Sequence, residues 1–183
     1  YMPLSEAEPI TIERHTYNGI PKLYTPLDIS AAEAAGFLST FSQPALSQRG
    51  AGTLIGIVDT GIDYTDPIFQ NADKTTRILG IWDQTLPYPG YENGGSEPLP
   101  YYGRAYSSDD INRALAAPDP LDVVPSTDST GHGSALAAIC GGGESPDGGF
   151  TGAAPECHLG IVKLKPAKQY LRNFYGVREG AEA

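Results

Sequence analysis

Residues 54–63 read LIGIVDTGID, an apolar run that ends in an acid and is followed by Thr-Gly. The length of the run and its Ile and Val content predict a strand buried on both faces, as in a parallel sheet. The segments RILGIW (77–82) and HLGIVKL (158–164) are runs of the same kind. These three segments are therefore the predicted strands of one sheet.

Helix-compatible segments lie before and between these strands. SSDDINRALAA (107–117) has a serine cap and acids in its first turn, and HGSALAAICGG (132–142) is rich in small residues. DISAAEAAGFLSTF (28–41) is also predicted to be one helix, because Asp28 or Ser30 can cap it. Strands separated by helices predict an α/β fold with right-handed crossovers.

Two long stretches carry no regular pattern. Residues 1–27 contain four prolines and are predicted to be an extended lead-in, for which the remnant of a propeptide is one interpretation. Residues 86–106 are rich in Pro, Gly and Tyr, which predicts a long loop. The tyrosines of this loop either pin it to the surface or bind peptides.

The composition argues against several classes of protein. A formal net charge of −10, with 12 basic and 22 acidic residues, disfavours a nucleic-acid partner, since phosphate binding needs clustered Lys and Arg. A membrane partner is not expected, because the sequence lacks the roughly 18 consecutive apolar residues of a transmembrane helix. Cys140 and Cys157 are too few for a disulfide framework, and they fit either one pair or two free thiols.

Asp59 is the first candidate catalytic residue. It stands at the carboxyl end of a predicted buried strand, where open α/β sheets place their active-site groups. A carboxylate at this position is costly unless it is paired or hydrogen-bonded. The alternative is a structural role, because an aspartate before Thr-Gly can also cap the following turn with its own side chain.

His132 is the second candidate, and it lies between two glycines at the start of a predicted helix. Gly131 and Gly133 carry no side chains, so another backbone or a substrate can approach closely. The helix dipole disfavours a cationic imidazole, which keeps this histidine neutral and suits a general base. A histidine that only caps the helix or fills the core is the alternative interpretation.

Three short motifs occur in an order that is informative. They are Asp59-Thr60-Gly61, His132-Gly133-Ser134 and Gly152-Ala153-Ala154-Pro155. Together they resemble the subtilisin-like serine peptidases, in which the triad members follow in the order Asp, His, Ser. Segments such as DTGIDYTDP (59–67) and TRILGIWDQT (76–85) resemble more specifically the clostridial germination proteases.

The resemblance implies an incomplete domain. The family has a three-layer fold, in which a mainly parallel sheet is flanked by helices. Residues 28–183 would then be the N-terminal part of the catalytic domain, with an insertion at 86–128 that lengthens the spacing between Asp59 and His132.

The resemblance also assigns roles to residues. A serine attacks the peptide carbonyl, His132 takes its proton as general base and later acts as the acid, and Asp59 orients the imidazole. His15 and His158 match no catalytic position of the family. No cofactor is expected; calcium occurs in the family, but Ile68 stands where secreted subtilisins place a calcium-ligating acid.

The serine nucleophile is missing from the pattern. No segment resembles Gly-Thr-Ser-x-Ala, the family's nucleophile motif, or the oxyanion-hole asparagine that precedes it. Ser134 would point to another face of the helix from His132, and Ser126 and Ser129 lie in a loop without an elbow. The sequence therefore predicts a nucleophile outside this chain. The expected partners are the remaining C-terminal half of the same peptidase and a protein or peptide substrate.

Two other interpretations remain at this point. A pseudoprotease of the same fold would keep Asp59 and His132, lack the nucleophile, and act in signalling or binding. An unrelated α/β binding domain would carry the three motifs by chance. The residue at the nucleophile position discriminates the peptidase from the pseudoprotease.

Overall fold

The computed structural model describes residues 33–43, 48–87, 102–146 and 148–176. Its helices and strands follow in the order α1 (Phe37–Phe41), β1 (Leu54–Asp59), β2 (Ile78–Asp83), β3 (Arg104–Ser107), α2 (Ser108–Leu115), α3 (His132–Gly141), β4 (His158–Lys163) and α4 (Gln169–Tyr175). Short 3₁₀ helices lie at Pro67–Phe69 and Pro120–Asp122. The predicted lead-in, residues 1–27, lies outside the described residues.

The described strands form one mainly parallel sheet with the order β1-β4-β2-β3. β4 pairs in parallel with both β1 and β2, while β3 adds to β2 in the antiparallel direction. The register places Lys163 opposite both Asp59 and Asp83. The carboxyl ends of the three parallel strands therefore meet at one edge of the sheet, where chemistry-bearing side chains can converge.

The three predicted strands are confirmed, with β1 covering the apolar run of residues 54–59 and the others shifted by one residue at most. The fourth strand, β3, was not predicted and lies partly within the predicted loop of residues 86–106. Its segment RAYS carries no apolar run. Tyr106 is nevertheless buried opposite Ile81, so β3 is fixed by its pairing with β2 rather than by a local pattern.

One face of the sheet carries the core. Ile57, Ile161 and Ile81 lie side by side on β1, β4 and β2, and each is buried. The core cluster that contains them also holds Ile111 of α2 and Ala137 of α3. Both helices therefore cover this face, and α3 lies against β1 and β4.

The opposite face differs from the prediction. Leu54 and Val58 of β1 are 61% and 60% exposed, and Leu79 of β2 is 48% exposed. The strand β1 is thus buried on one face only within the described part of the chain. The apolar pattern of the run is that of a doubly buried strand, but the described elements leave this face largely open.

The structure confirms the predicted start of one helix and corrects the extent of another. α2 begins with a capping box, in which the Ser107 hydroxyl accepts from Asp110 N (3.3 Å) and Asp110 accepts from Ser107 N (2.8 Å). The prediction of one helix over residues 28–41 is wrong within its described part, because Gly36 has a φ of 81° and interrupts it before α1.

Cys140 and Cys157 are both free thiols. Among the described residues there is no helix with the length and apolar character needed to cross a membrane.

Candidate active site

The two predicted catalytic residues meet at the carboxyl edge of the sheet. Asp59 is the last residue of β1, and His132 is the first residue of α3. Their closest atoms, Asp59 Oδ1 and His132 Nδ1, are 2.6 Å apart although 73 residues separate them in the chain. A carboxylate only accepts, so Nδ1 carries the shared proton and Nε2 of a neutral imidazole has the lone pair.

The pair lies at the surface rather than in the core. The His132 side chain is 64% exposed, while that of Asp59 is 16% exposed. Asp59 Oδ1 also accepts from the backbone N of Thr60 at 2.8 Å, which fixes the carboxylate towards the turn after β1. Asp59 thus orients the imidazole, while most of the His132 side chain remains accessible to solvent.

The environment keeps Asp59 ionised. Partial burial alone would raise the pKa of Asp59, but the hydrogen bonds with His132 and Thr60 outweigh it, so the pKa lies below its ordinary value. The ionised Asp59 accepts the Nδ1 proton, so it stabilises the imidazolium that forms when Nε2 takes up a second proton. This arrangement suits a base that takes up a proton during a reaction.

The two flanking glycines have different structural roles. Gly131 adopts a left-handed conformation with φ 76°, which turns the chain into α3. Gly133 is the point of closest approach, because a Cβ there would lie 2.2 Å from the carbonyl oxygen of Gly61 and 3.2 Å from Asp59 Cβ. The absence of a side chain at Gly133 is what lets the start of α3 reach the end of β1.

Replacing Gly133 by alanine is expected to destabilise the chain by about 2 kcal/mol and to separate Asp59 from His132, since backbone atoms must move. Thermal unfolding measures the stability change. Gly56→Ala in the same isolated chain is the matched control, because a Cβ at Gly56 meets nothing within 4 Å among the described residues. Equal stability of the two variants would contradict this account of the close approach.

A buried ion pair supports the same edge of the sheet. Asp83 is fully buried, and Lys163 Nζ lies 3.4 Å from its Oδ2. Burial would raise the pKa of Asp83, but hydrogen bonds from Thr85 and Ser126 and the charge of Lys163 hold it below its ordinary value. The Ser126 hydroxyl donates to Asp83 at 2.7 Å, which ties the loop before α3 to the end of β2. Sequence reasoning did not identify this pair.

Two of the three serines near the pair are engaged elsewhere. The Ser134 hydroxyl donates to Asp128 at 2.7 Å and accepts from Asp63 N at 2.8 Å. Ser126 is buried against Asp83, as described above, and Ser129 is exposed in the same loop. The exposed His158 is at the start of β4, and His15 lies outside the described residues.

Asp128 is a site residue that sequence reasoning missed. Its carboxylate accepts from Thr60 Oγ1 at 2.7 Å and from Ser134 N at 2.8 Å, so it contacts both motifs. The available signal was an acid just before a predicted helix, where it can satisfy free N–H groups. In the described part of the chain, no group of three or more His, Cys, Asp and Glu side chains could hold a metal ion.

Comparison with known proteins identifies the family of the chain. A model of the subtilase family, peptidase family S8, matches residues 50–175. The chain belongs to the subtilase family. The subtilase match includes β1, α3 and β4, and so contains both Asp59 and His132.

Two individual relatives show how much of a subtilase is present. The chain is 27% identical over 129 residues to "Subtilisin-like protease SBT2.2" of Arabidopsis thaliana, covering 62% of this chain and 15% of that protein. The structure of the Clostridium perfringens CspB protease superposes with a TM-score of 0.60 and 30% identity, covering 74% of this chain and 25% of that one. The predicted subtilisin-like fold is confirmed, and the chain spans a quarter or less of these relatives.

Proposed function

We propose that this chain supplies two of the three catalytic residues of a subtilisin-type serine endopeptidase, Asp59 and His132. The observation that carries the proposal is the 2.6 Å contact between Asp59 Oδ1 and His132 Nδ1 at the carboxyl edge of a subtilase sheet. A capping or core histidine would not need an ionised carboxylate on Nδ1 and a side chain mostly open to solvent.

The proposed reaction is the hydrolysis of a peptide bond in a protein or peptide substrate. The serine oxygen attacks the carbonyl carbon while His132 Nε2 takes the hydroxyl proton. Asp59 stabilises the resulting imidazolium through Nδ1 and does not itself take the proton. His132 then gives the proton to the leaving amine, and water releases the acyl group by the same two proton transfers. No cofactor is part of this chemistry.

The nucleophilic serine is proposed to lie outside these 183 residues. Ser134 and Ser126 donate their hydroxyls to the carboxylates of Asp128 and Asp83, so neither proton is directed at His132. The hydroxyl of a nucleophile must instead donate to the general base.

The rest of the same catalytic domain is the proposed partner of the open sheet face. Three glycines, Gly56, Gly160 and Gly80, lie side by side across this face and form a shallow strip between Leu54 and Val58. Glycine positions in a strand carry no side chain, so they let another element approach the backbone closely. An apolar face of this kind is typical of a surface that another part of the domain covers.

Peptide hydrolysis by the 183-residue chain and by the complete gene product tests this proposal. The chain alone is expected to give no hydrolysis above the uncatalysed rate, whereas the complete gene product is expected to cleave. Hydrolysis by the chain alone that disappears in His132→Ala would place the nucleophile within these residues. A folded complete gene product that cleaves nothing would overturn the peptidase proposal.

A further inference from the structure

Asp128 gathers donors from two separate segments of the chain. Its Oδ1 accepts from Thr60 Oγ1 (2.7 Å) and Gly131 N (3.0 Å), and its Oδ2 accepts from Ser134 N and Oγ (2.8 and 2.7 Å). The N-cap residue of α3, Gly131, has no side chain that could cap the helix. Asp128 therefore does more than cap α3, because one of its strongest donors comes from the turn after β1.

The hydrogen bonds have a fixed direction. A carboxylate only accepts, so the Thr60 hydroxyl proton points at Asp128. The Thr60 oxygen is then turned to accept from Gly133 N, which lies 2.9 Å away. Asp128, Thr60 and Gly133 thus form a relay of two hydrogen bonds that joins the turn after β1 to the first turn of α3.

Two residues of the relay are sequence neighbours of the candidate catalytic pair. Thr60 follows Asp59, and its backbone N also holds Asp59 Oδ1 at 2.8 Å. Gly133 follows His132 at the point of closest approach between the two segments. If the Thr60 hydroxyl pointed in another direction, Gly133 N would lose its hydrogen bond to Thr60. The backbone that positions the His132 ring would then no longer be fixed at Gly133.

Asp128 is itself held in place by buried contacts. Ser126, two residues earlier, is fixed by its hydrogen bond to buried Asp83. The Tyr64 hydroxyl donates to the carbonyl oxygen of Val124 at 2.8 Å, and Val124 is fully buried. The loop that carries Asp128 is therefore anchored from the sheet and from the segment after β1.

The negative charge of Asp128 is stabilised by the hydrogen bonds that its carboxylate accepts. Burial alone would raise the pKa of Asp128, but the hydrogen bonds from Thr60, Ser134 and Gly131 lower it to about 2. The carboxylate is therefore ionised, and charge-assisted hydrogen bonds of this kind are stronger than neutral ones.

We propose that Asp128 is a positioning residue for the Asp59–His132 pair, acting through the Thr60 hydroxyl to fix the backbone at Gly133. The inference rests on the proposed function, because it concerns the geometry of that pair. Asp128 does not contact the substrate in this account; it holds the imidazole where Nε2 can exchange a proton.

The test uses the complete gene product with ¹⁵N in its histidine rings, and it follows the proton on His132 Nδ1 by NMR. Loss of the signal in His132→Ala assigns it. Asp128→Asn is expected to move this proton signal upfield, and Thr60→Val, which keeps the shape and removes the hydroxyl, is expected to do the same. Thr60→Ser is expected to restore the wild-type signal, because it keeps the hydroxyl.

Kinetics supply a second measurement. Both disrupting variants are expected to lower kcat for peptide hydrolysis by about tenfold with little change in KM, since the proton-transfer geometry is disturbed and the substrate contacts are not. The double variant is expected to lose no more than either single one, because both remove the same relay. Asp110→Asn is the matched control, as Asp110 accepts from Ser107 at the start of α2, an element away from the pair.

The outcomes distinguish failure of the positioning role from failure of the peptidase proposal. Unchanged NMR signal and kcat in Asp128→Asn, with a wild-type Nδ1 proton present, would overturn the positioning role and leave the peptidase proposal intact. A wild-type protein without an Nδ1 proton bound to Asp59 would overturn both. If Asp128→Asn does not fold, the Thr60→Val and Thr60→Ser pair decides the question alone.

Discussion

Replacing His132 by alanine in the complete gene product is expected to lower kcat for peptide hydrolysis by about 10⁶-fold. The reason is that, among the described residues, the imidazole is the only group on Asp59 Oδ1 that can take and return a proton at neutral pH. The Thr60 backbone N–H, which also binds this oxygen, cannot act as a base. Initial rates at saturating substrate measure the effect.

His158→Ala is the matched control for this variant. His158 is exposed at the start of β4, at the opposite end of the strand from Lys163 and the carboxyl edge. Its replacement is expected to change kcat by no more than about twofold. Comparable losses in the two variants would mean that histidine replacement acts through folding rather than through the proposed chemistry.

Replacing Asp59 by asparagine is expected to lower kcat by about 10⁴-fold, a smaller loss than removal of the imidazole. The amide can present an N–H to Nδ1, which then has to accept, so that the proton moves to Nε2 and the base is lost. Asp59→Asn keeps the size of the side chain and removes its charge. The same substitution in an exposed loop, Asp73→Asn, serves as the control and is expected to have little effect.

The pH dependence of Asp59→Asn gives a second, independent readout. The ionised carboxylate lies against Nδ1 and favours the imidazolium over the neutral ring, an attraction that Asp59→Asn removes. Removing the charge is expected to shift the acidic limb of kcat/KM to lower pH by about one unit. A limb that moves to higher pH would contradict the proposed pairing.

Much of the fold could be predicted because its signals are local. The apolar run before Asp59, the serine cap of α2 and the small residues after His132 each determine an element without reference to distant residues. The approach of Asp59 to His132 is not local, and it was predicted only through the resemblance of motif order to a known family.

What sequence reasoning missed depends on contacts between distant segments. Strand β3 exists because Tyr106 pairs with Ile81, and the role of Asp128 depends on a hydroxyl 68 residues away. The apolar pattern of β1 predicted two buried faces, yet Val58 is exposed in the described part of the chain. That mismatch supports the proposal that the rest of the catalytic domain covers the open face.

Labelling with a fluorophosphonate, which reacts with the activated serine of serine hydrolases, tests the central claim most directly. The complete gene product is treated with the probe beside its His132→Ala and His158→Ala variants, and the adduct is mapped by peptide mass spectrometry. We expect labelling of the wild type and of His158→Ala on a serine outside residues 1–183, and no labelling of His132→Ala. A folded wild-type protein that is not labelled, or an adduct on Ser126, Ser129 or Ser134, would contradict the account.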